Sequence, residues 1–283
     1  MYKRVGDFDK NNKRRIYNLL VLKGEAIMKG ELLSIKRGVA LGQGYQNFFS
    51  AISNQIDLLI IYFINDEISA SLVERGPLRE LRDELIKDFC KDEDFKRLEI
   101  AKADLFDLFG NRTDFIIGSN FLDFKVNTYS AFEFFSNELY DELIKIKPRS
   151  NKKENDLIKL VMRYNNESDE TKKQNLIEKI KKINFYTSSH EKISYILSMC
   201  EMEKEESENV NAFLDYYRSQ RNTVHNLGIH HGKSQSISID GIMTVLEHGK
   251  PSYTSDYNSS IFSCRKLMGI YEMMLAKIRG EFI

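Results

Sequence analysis

Helix-breaking residues are scarce in this chain. Only three prolines occur, Pro77, Pro148 and Pro251, so long stretches run without the residue that most often ends a helix. Cysteine is equally sparse. Cys90, Cys200 and Cys264 form an odd, scattered set, which reads as reduced thiols of a cytoplasmic protein rather than a disulfide framework. No net charge is left over, with 42 Lys/Arg against 42 Asp/Glu, so charge alone argues for neither an acidic nor a basic partner. No long hydrophobic run is present either. The most apolar stretch, "IDLLIIYFI" at 56–64, is nine residues with Asp57 inside it, too short for a bilayer and suited to a buried helix. No apolar signal core follows the basic start "MYKRVGDFDKNNKRR", so a cytoplasmic chain without a membrane segment is expected.

What is present is helical periodicity. With 283 residues and 42% apolar content, the chain can bury the core of one large domain or two small ones. Apolar residues at 3.6-residue spacing predict helices near 12–37, 45–65, 78–90, 93–108, 122–147, 153–164, 171–183, 187–203, 205–226 and 256–279. Two places break the pattern. "FGNRTDFIIGSN" at 109–120 reads as a turn, a short extended piece and another turn, which sets a boundary between an N-terminal helical region, 1–121, and a C-terminal domain, 122–283. In "SQSISIDGIMTVLEHGK" at 234–250, Ile237 and Ile239 alternate with polar residues. Asp240-Gly241 then supplies a two-residue turn, and Met243 and Val245 alternate on the return, so a β-hairpin is expected. The fold class is therefore mainly α, a helical bundle with one hairpin.

Two helices carry long apolar stripes: Phe124, Thr128, Ala131, Phe135, Leu139, Leu143 and Ile146 on one, and Ile261, Cys264, Met268, Tyr271, Leu275 and Ile278 on the other. Both are read as core, with Ser255 or Asp256 capping the second.

The helix expected at 205–226 differs. At about 100° per residue, Val210, Phe213, Leu214, Tyr217 and Val224 form an apolar stripe, and Arg221 falls inside it. Arg218 and His225 lie at its edge, with Asn222 a little further round. Gly228 suits a left-handed helix end, which would put His225 in the last turn, where the helix dipole favours an imidazolium. A guanidinium beside apolar surface needs an anion, either a carboxylate from another helix or a phosphate. Arginine that grips phosphate, next to a histidine that takes and gives protons, is enough to cleave RNA through attack of the 2′-hydroxyl.

"YRSQRNTVHNLGIHHG" at 217–232 resembles the signature of the higher eukaryote and prokaryote nucleotide-binding (HEPN) family, in which an arginine, usually with a polar follower, precedes a histidine by a short spacer. "RNTVHN" followed by a glycine and a hairpin is similar to the bacterial toxin and defence branch. The resemblance covers roughly 122–283, with 122–147 as the family's first long helix and 256–279 as its closing one; residues 1–121 match no family. It implies an α-helical homodimer in which two copies of the motif meet. It also implies a metal-independent endoribonuclease of toxin or phage-defence type, with an antitoxin or defence partner, or else a non-catalytic RNA-binding or protein-interaction module. The histidine role carries over to His225. The arginine role is divided between Arg221, which has the polar follower Asn222 but a spacer of three residues, and Arg218, whose spacer of six is at the family's upper limit.

Other residues offer less. Residues 145–182 hold twelve Lys/Arg against six acids. That excess reads either as solvated helix faces or as an RNA-holding surface that includes Lys152, Lys153, Lys172 and Lys173. His230 and His231 lack the cysteine or carboxylate partners of a metal site and read as loop histidines, and His190 and His248 as structural ones. "GVALGQGYQ" at 38–46 lacks the Lys-Ser/Thr of a phosphate-binding loop. No metal and no cofactor is expected.

Overall fold

The computed structural model describes residues 8–35, 40–73, 87–88, 113–148, 152–183, 186–239, 241–253 and 255–282. Among them are eight helices and one two-stranded antiparallel sheet, so the chain is mainly α with one hairpin. The order is α1 (Lys10–Ile35), α2 (Ala40–Val73), α3 (Thr113–Ile146), α4 (Lys152–Asn166), α5 (Glu170–Lys181), α6 (Ser189–Met199), α7 (Lys204–His225), β1 (Gln235–Ile239), β2 (Ile242–Leu246) and α8 (Tyr257–Phe282). The helices expected at 78–90 and 93–108 lie outside the described residues, apart from the helical pair 87–88.

Two compact units are formed. One comprises Met1–Phe132 with Glu203–Glu272, the other Glu133–Met202 with Met273–Ile283. The turn–strand–turn expected at 109–120 is not found where it is described. Thr113–Gly118 are helical and α3 runs unbroken through position 121, where a boundary was expected. Gly118 is buried in this helix, and its carbonyl accepts the Ser255 amide at 2.8 Å, so a residue that reads locally as a turn is a close-approach point instead.

In the first unit, α1 and α2 pair along their length. Asp9 caps α1 through the Asn11 amide at 2.7 Å, and the buried Glu67 carboxylate accepts from the Asp9 amide at 3.1 Å and the Asn12 side chain at 2.6 Å. Asp57, the charge inside the apolar run, is met by Lys23 at 2.6 Å. Phe48–Ile68 is long and apolar enough to cross a membrane by length and composition alone, a longer stretch than the uninterrupted run 56–64. One side of it enters the core. Phe48 stacks against Tyr271 of α8 at 4.1 Å, and both rings meet Phe132 of α3. Tyr217 of α7 adds Phe213 at 4.7 Å and Tyr129 of α3 at 6.3 Å. The unit is thus a helical bundle with an aromatic centre, held mainly by apolar burial.

Every residue of the expected α8 stripe is buried. Asp256 caps that helix, accepting the Ser259 amide at 2.8 Å. The α3 stripe is too narrow as expected from the sequence. Ile146 is exposed, whereas Leu122, Lys125, Val126, Tyr129 and Phe132 are buried, because neighbours cover the helix on more than one side.

In the second unit, α4 and α5 form a helical hairpin and α6 starts with a capping box between Ser188 and Glu191. Tyr140 of α3 meets Tyr195 of α6 edge-on at 5.7 Å, and Lys192 bridges to Asp141 at 2.7 Å.

Candidate functional site

The site is built on α7 and the loop that leaves it. Val210, Phe213, Leu214, Tyr216, Tyr217, Gln220 and Thr223 are buried and hold the helix in the bundle. Val224, expected in the same stripe, is only half-buried. Arg221 is half-buried at the margin of the core-facing side; Asn222 and His225 are exposed. The four candidate residues fall at i, i+3, i+4 and i+7 of one helix, so Arg221 and His225 are neighbours with Cβ atoms roughly 5–6 Å apart. Arg218 has a local anion: its guanidinium meets Asp215 at 2.9 Å. His225 occupies the last turn of the helix.

The helix end differs from the one expected. Gly228 is left-handed at φ 79°, but Leu227 before it is left-handed too, at φ 57°. The Gly228 amide donates back to the Thr223 carbonyl at 2.9 Å, and the Asn226 amide to Asn222 at 3.0 Å. The following loop is tied to the segment after β2. The His230 amide donates to the Lys250 carbonyl at 3.1 Å, Gly249 to the His230 carbonyl at 2.7 Å, and Ser252 to the Gly228 carbonyl at 2.8 Å. Tyr253 lies directly on Gly228: a Cβ there would come within 2.0 Å of the ring.

His230, read from the sequence as a loop histidine, is one of the most buried polar residues in the unit. Its Nε2–H donates to the Lys233 carbonyl at 2.9 Å and its Nδ1 is 2.9 Å from Thr223 Oγ1, so it fastens the loop to α7. Gly232 is required beneath that ring, since a Cβ would sit 2.7 Å from it. His231 and His248 are exposed, and His248 Nδ1 lies 2.9 Å from the Gly232 carbonyl. Among the described residues no three His, Cys, Asp or Glu side chains gather as metal ligands.

The hairpin pairs Ile239 with Ile242 around the Asp240-Gly241 turn, Gly241 having φ 77°. Ile237 pairs with Thr244 and Gln235 with Leu246, which puts the buried Leu246 on the face of Ile237 and leaves Met243 and Val245 exposed on the other.

Beneath α7 sits a residue that sequence reasoning passed over. Lys125 of α3 is 1% exposed; its Nζ donates to Ser259 Oγ at 2.9 Å and lies 5.2 Å from the centre of the Tyr217 ring. Burial lowers its ammonium to about 8, against the pull of Asp256. Burial also pushes the Tyr216 hydroxyl up and the Tyr217 hydroxyl well above the ordinary tyrosine value. The signal that could have found it is its spacing: Lys125 falls on one helix face with Leu122, Tyr129 and Phe132, a second apolar stripe that the expected one left out.

Of the expected RNA-holding lysines, Lys172 is exposed on α5, and Lys173 is paired with Glu170 at 3.0 Å. Lys152 and Lys153 lie in the first turn of α4, their side chains outside the described set. All four belong to the second unit, whereas the α7 residues belong to the first. Cys200 and Cys264 are free thiols, both raised by burial, Cys264 to about 12; Cys90 lies outside the described residues. Compared with protein-family models, curated proteins and solved structures, the chain finds no match.

Proposed function

We propose that this protein is a metal-independent endoribonuclease of HEPN type that acts in toxin or phage-defence systems. The observation that carries the reading is the placement of Arg221 and His225. A half-buried guanidinium and a solvent-facing imidazole occupy successive turns at the end of one helix. The imidazole takes the proton from a ribose 2′-hydroxyl as its oxygen attacks the adjacent phosphorus. The P–O5′ bond breaks, the 5′ oxygen receives a proton, and the products carry a 2′,3′-cyclic phosphate and a 5′-hydroxyl. Arg221 holds the phosphoryl oxygens through its fork of donors as their charge grows, and Asn222 orients the phosphate beside it. Taking and giving the proton suits two imidazoles, so a second copy of the chain supplies the second motif helix of a homodimer. Lys152, Lys153, Lys172 and Lys173 add a salt-sensitive hold on the RNA backbone.

Purified protein incubated with mixed RNA in EDTA tests this. Wild type yields cyclic-phosphate and 5′-hydroxyl ends and His225→Ala yields none; equal cleavage by both removes the proposal. One observation favours a second reading, an RNA-binding or protein-interaction module without catalysis: Arg218 already has its carboxylate in Asp215. In that case RNA retention survives His225→Ala and no product ends form.

A further inference from the structure

The outer side of α1 is apolar where it meets solvent. Leu19, Leu22 and Ala26 are buried and turn one side of the helix to the core. Leu20, Val21, Gly24, Ile27 and Met28 fall on the opposite side, within an arc of about 120°. Apart from the glycine, these residues are 41–61% exposed. Their spacing is symmetric about Gly24: Val21 and Ile27 lie three residues to either side of it, Leu20 and Met28 four. A Cβ at Gly24 would have nothing within 4 Å, so the centre of the stripe is open.

α2 widens this face. Lys23 meets Asp57 at 2.6 Å and Asn12 meets Glu67 at 2.6 Å, so the two helices run antiparallel, and Ile61 and Ile64 stand at the height of Leu20 and Tyr17. All four are exposed. Among the described residues, α1 and α2 together expose nine large apolar side chains. That area exceeds the roughly 300–600 Å² of the largest patch on an ordinary monomer and approaches the about 800 Å² per partner that a stable dimer covers. A bilayer suits the face less well, because the part-exposed Lys23–Asp57 pair lies in the seam between the helices and would enter hydrocarbon with it.

We propose that this face binds a second copy of the chain, the two α1 helices crossing antiparallel about a two-fold axis at Gly24. A two-fold contact needs a surface that matches itself when reversed, and this stripe does so. Val21 meets Ile27 of the second copy, Leu20 meets Met28, and Gly24 lets the two backbones approach. Burial of the apolar side chains drives the association. The contact lies in the part of the chain that resembles no family, uses no residue of α7, and stands whether or not the protein cleaves RNA.

Two measurements on the full chain test it. In the first, sedimentation equilibrium gives the mass of wild type and of Val21→Lys, with circular dichroism of each. Val21→Lys halves the mass at unchanged helix content: from four copies to two if the motif helices also pair, from two to one if they do not. An unchanged mass overturns the proposal, and so does a monomeric wild type that floats with phosphatidylglycerol vesicles. In the second, Gly24→Cys and Tyr17→Cys are oxidised and the disulfides mapped by mass spectrometry. Gly24→Cys bridges to its own position in the second copy. Tyr17→Cys, seven residues from the axis, does not bridge to itself. No bridge at position 24, or an equal one at 17 as parallel helices would give, overturns the proposal. If Val21→Lys loses its helices, the bridge at position 24 decides.

Discussion

Thr223 Oγ1 and His230 Nδ1 lie 2.9 Å apart in the interior of the first unit, one on the motif helix and one on the loop that follows. That contact, with the His230 Nε2–H donated to the Lys233 carbonyl at 2.9 Å, uses both ring nitrogens and pins the loop beneath which α7 ends. Thr223→Val leaves a buried ring nitrogen without its hydroxyl and is expected to cost about 1–3 kcal/mol, read as a lower midpoint in urea. His230→Ala costs at least as much, because it also removes the packing on Gly232. Neither change touches the exposed side chain of His225, so cleavage by the fraction that remains folded should retain its pH profile.

Lys125 makes stability depend on pH in the alkaline range. Its folded value, about 8, is below the ordinary 10.5, so the unfolded chain binds the extra proton between these limits and stability rises with pH from about 8 to about 10.5. Below pH 8 the full penalty of burying the ammonium is present. Lys125→Met removes it and is expected to stabilise the protein at pH 7 by up to about 3 kcal/mol. Denaturation at pH 7 and pH 10 checks this: the gap between wild type and variant narrows at the higher pH.

Leu227 holds a left-handed conformation at φ 57° with its side chain in water. Leu227→Gly relieves roughly 1 kcal/mol of that strain and is expected to raise the melting temperature. Gly228→Ala works in the opposite direction, since its φ is 79° and Tyr253 occupies the space of the new methyl. A fall of about 2 kcal/mol or more is expected, and the paired melting curves show the opposite signs.

The two arginines are separable. Arg218 is paired with Asp215 and Arg221 sits at the core margin beside His225. Arg221→Lys keeps the charge and loses the fork, so RNA cleavage should fall by about tenfold or more. Arg218→Lys should stay within about twofold, since lysine keeps a positive charge facing Asp215 in this half-buried pair. Equal losses would assign phosphate binding to both.

Salt dependence tests the second unit. Each lysine that neutralises a phosphate of single-stranded RNA contributes about 0.7 to the slope of log affinity against log salt. Lys172→Gln is expected to reduce the slope by about that amount. Lys173→Gln should reduce it less, because Glu170 already neutralises that ammonium.

The physics of short range was legible in the residues themselves. Scarce proline and 3.6-residue spacing give the helices, Asp256 gives a cap, and Asp240-Gly241 with alternation on both sides gives the hairpin, because each depends on neighbours within a few positions. The order Arg218, Arg221, Asn222, His225 along one side of a helix is also a local fact, fixed by 100° steps. Tertiary packing alone decided the rest. It made Thr113–Gly118 helical where glycine suggested a turn, buried Lys125 and His230, turned Met243 and Val245 outward, and set Tyr253 on Gly228. Burial and partnership are properties of what lies across the fold, and no side chain carries in its own identity the neighbours that a distant part of the chain will bring.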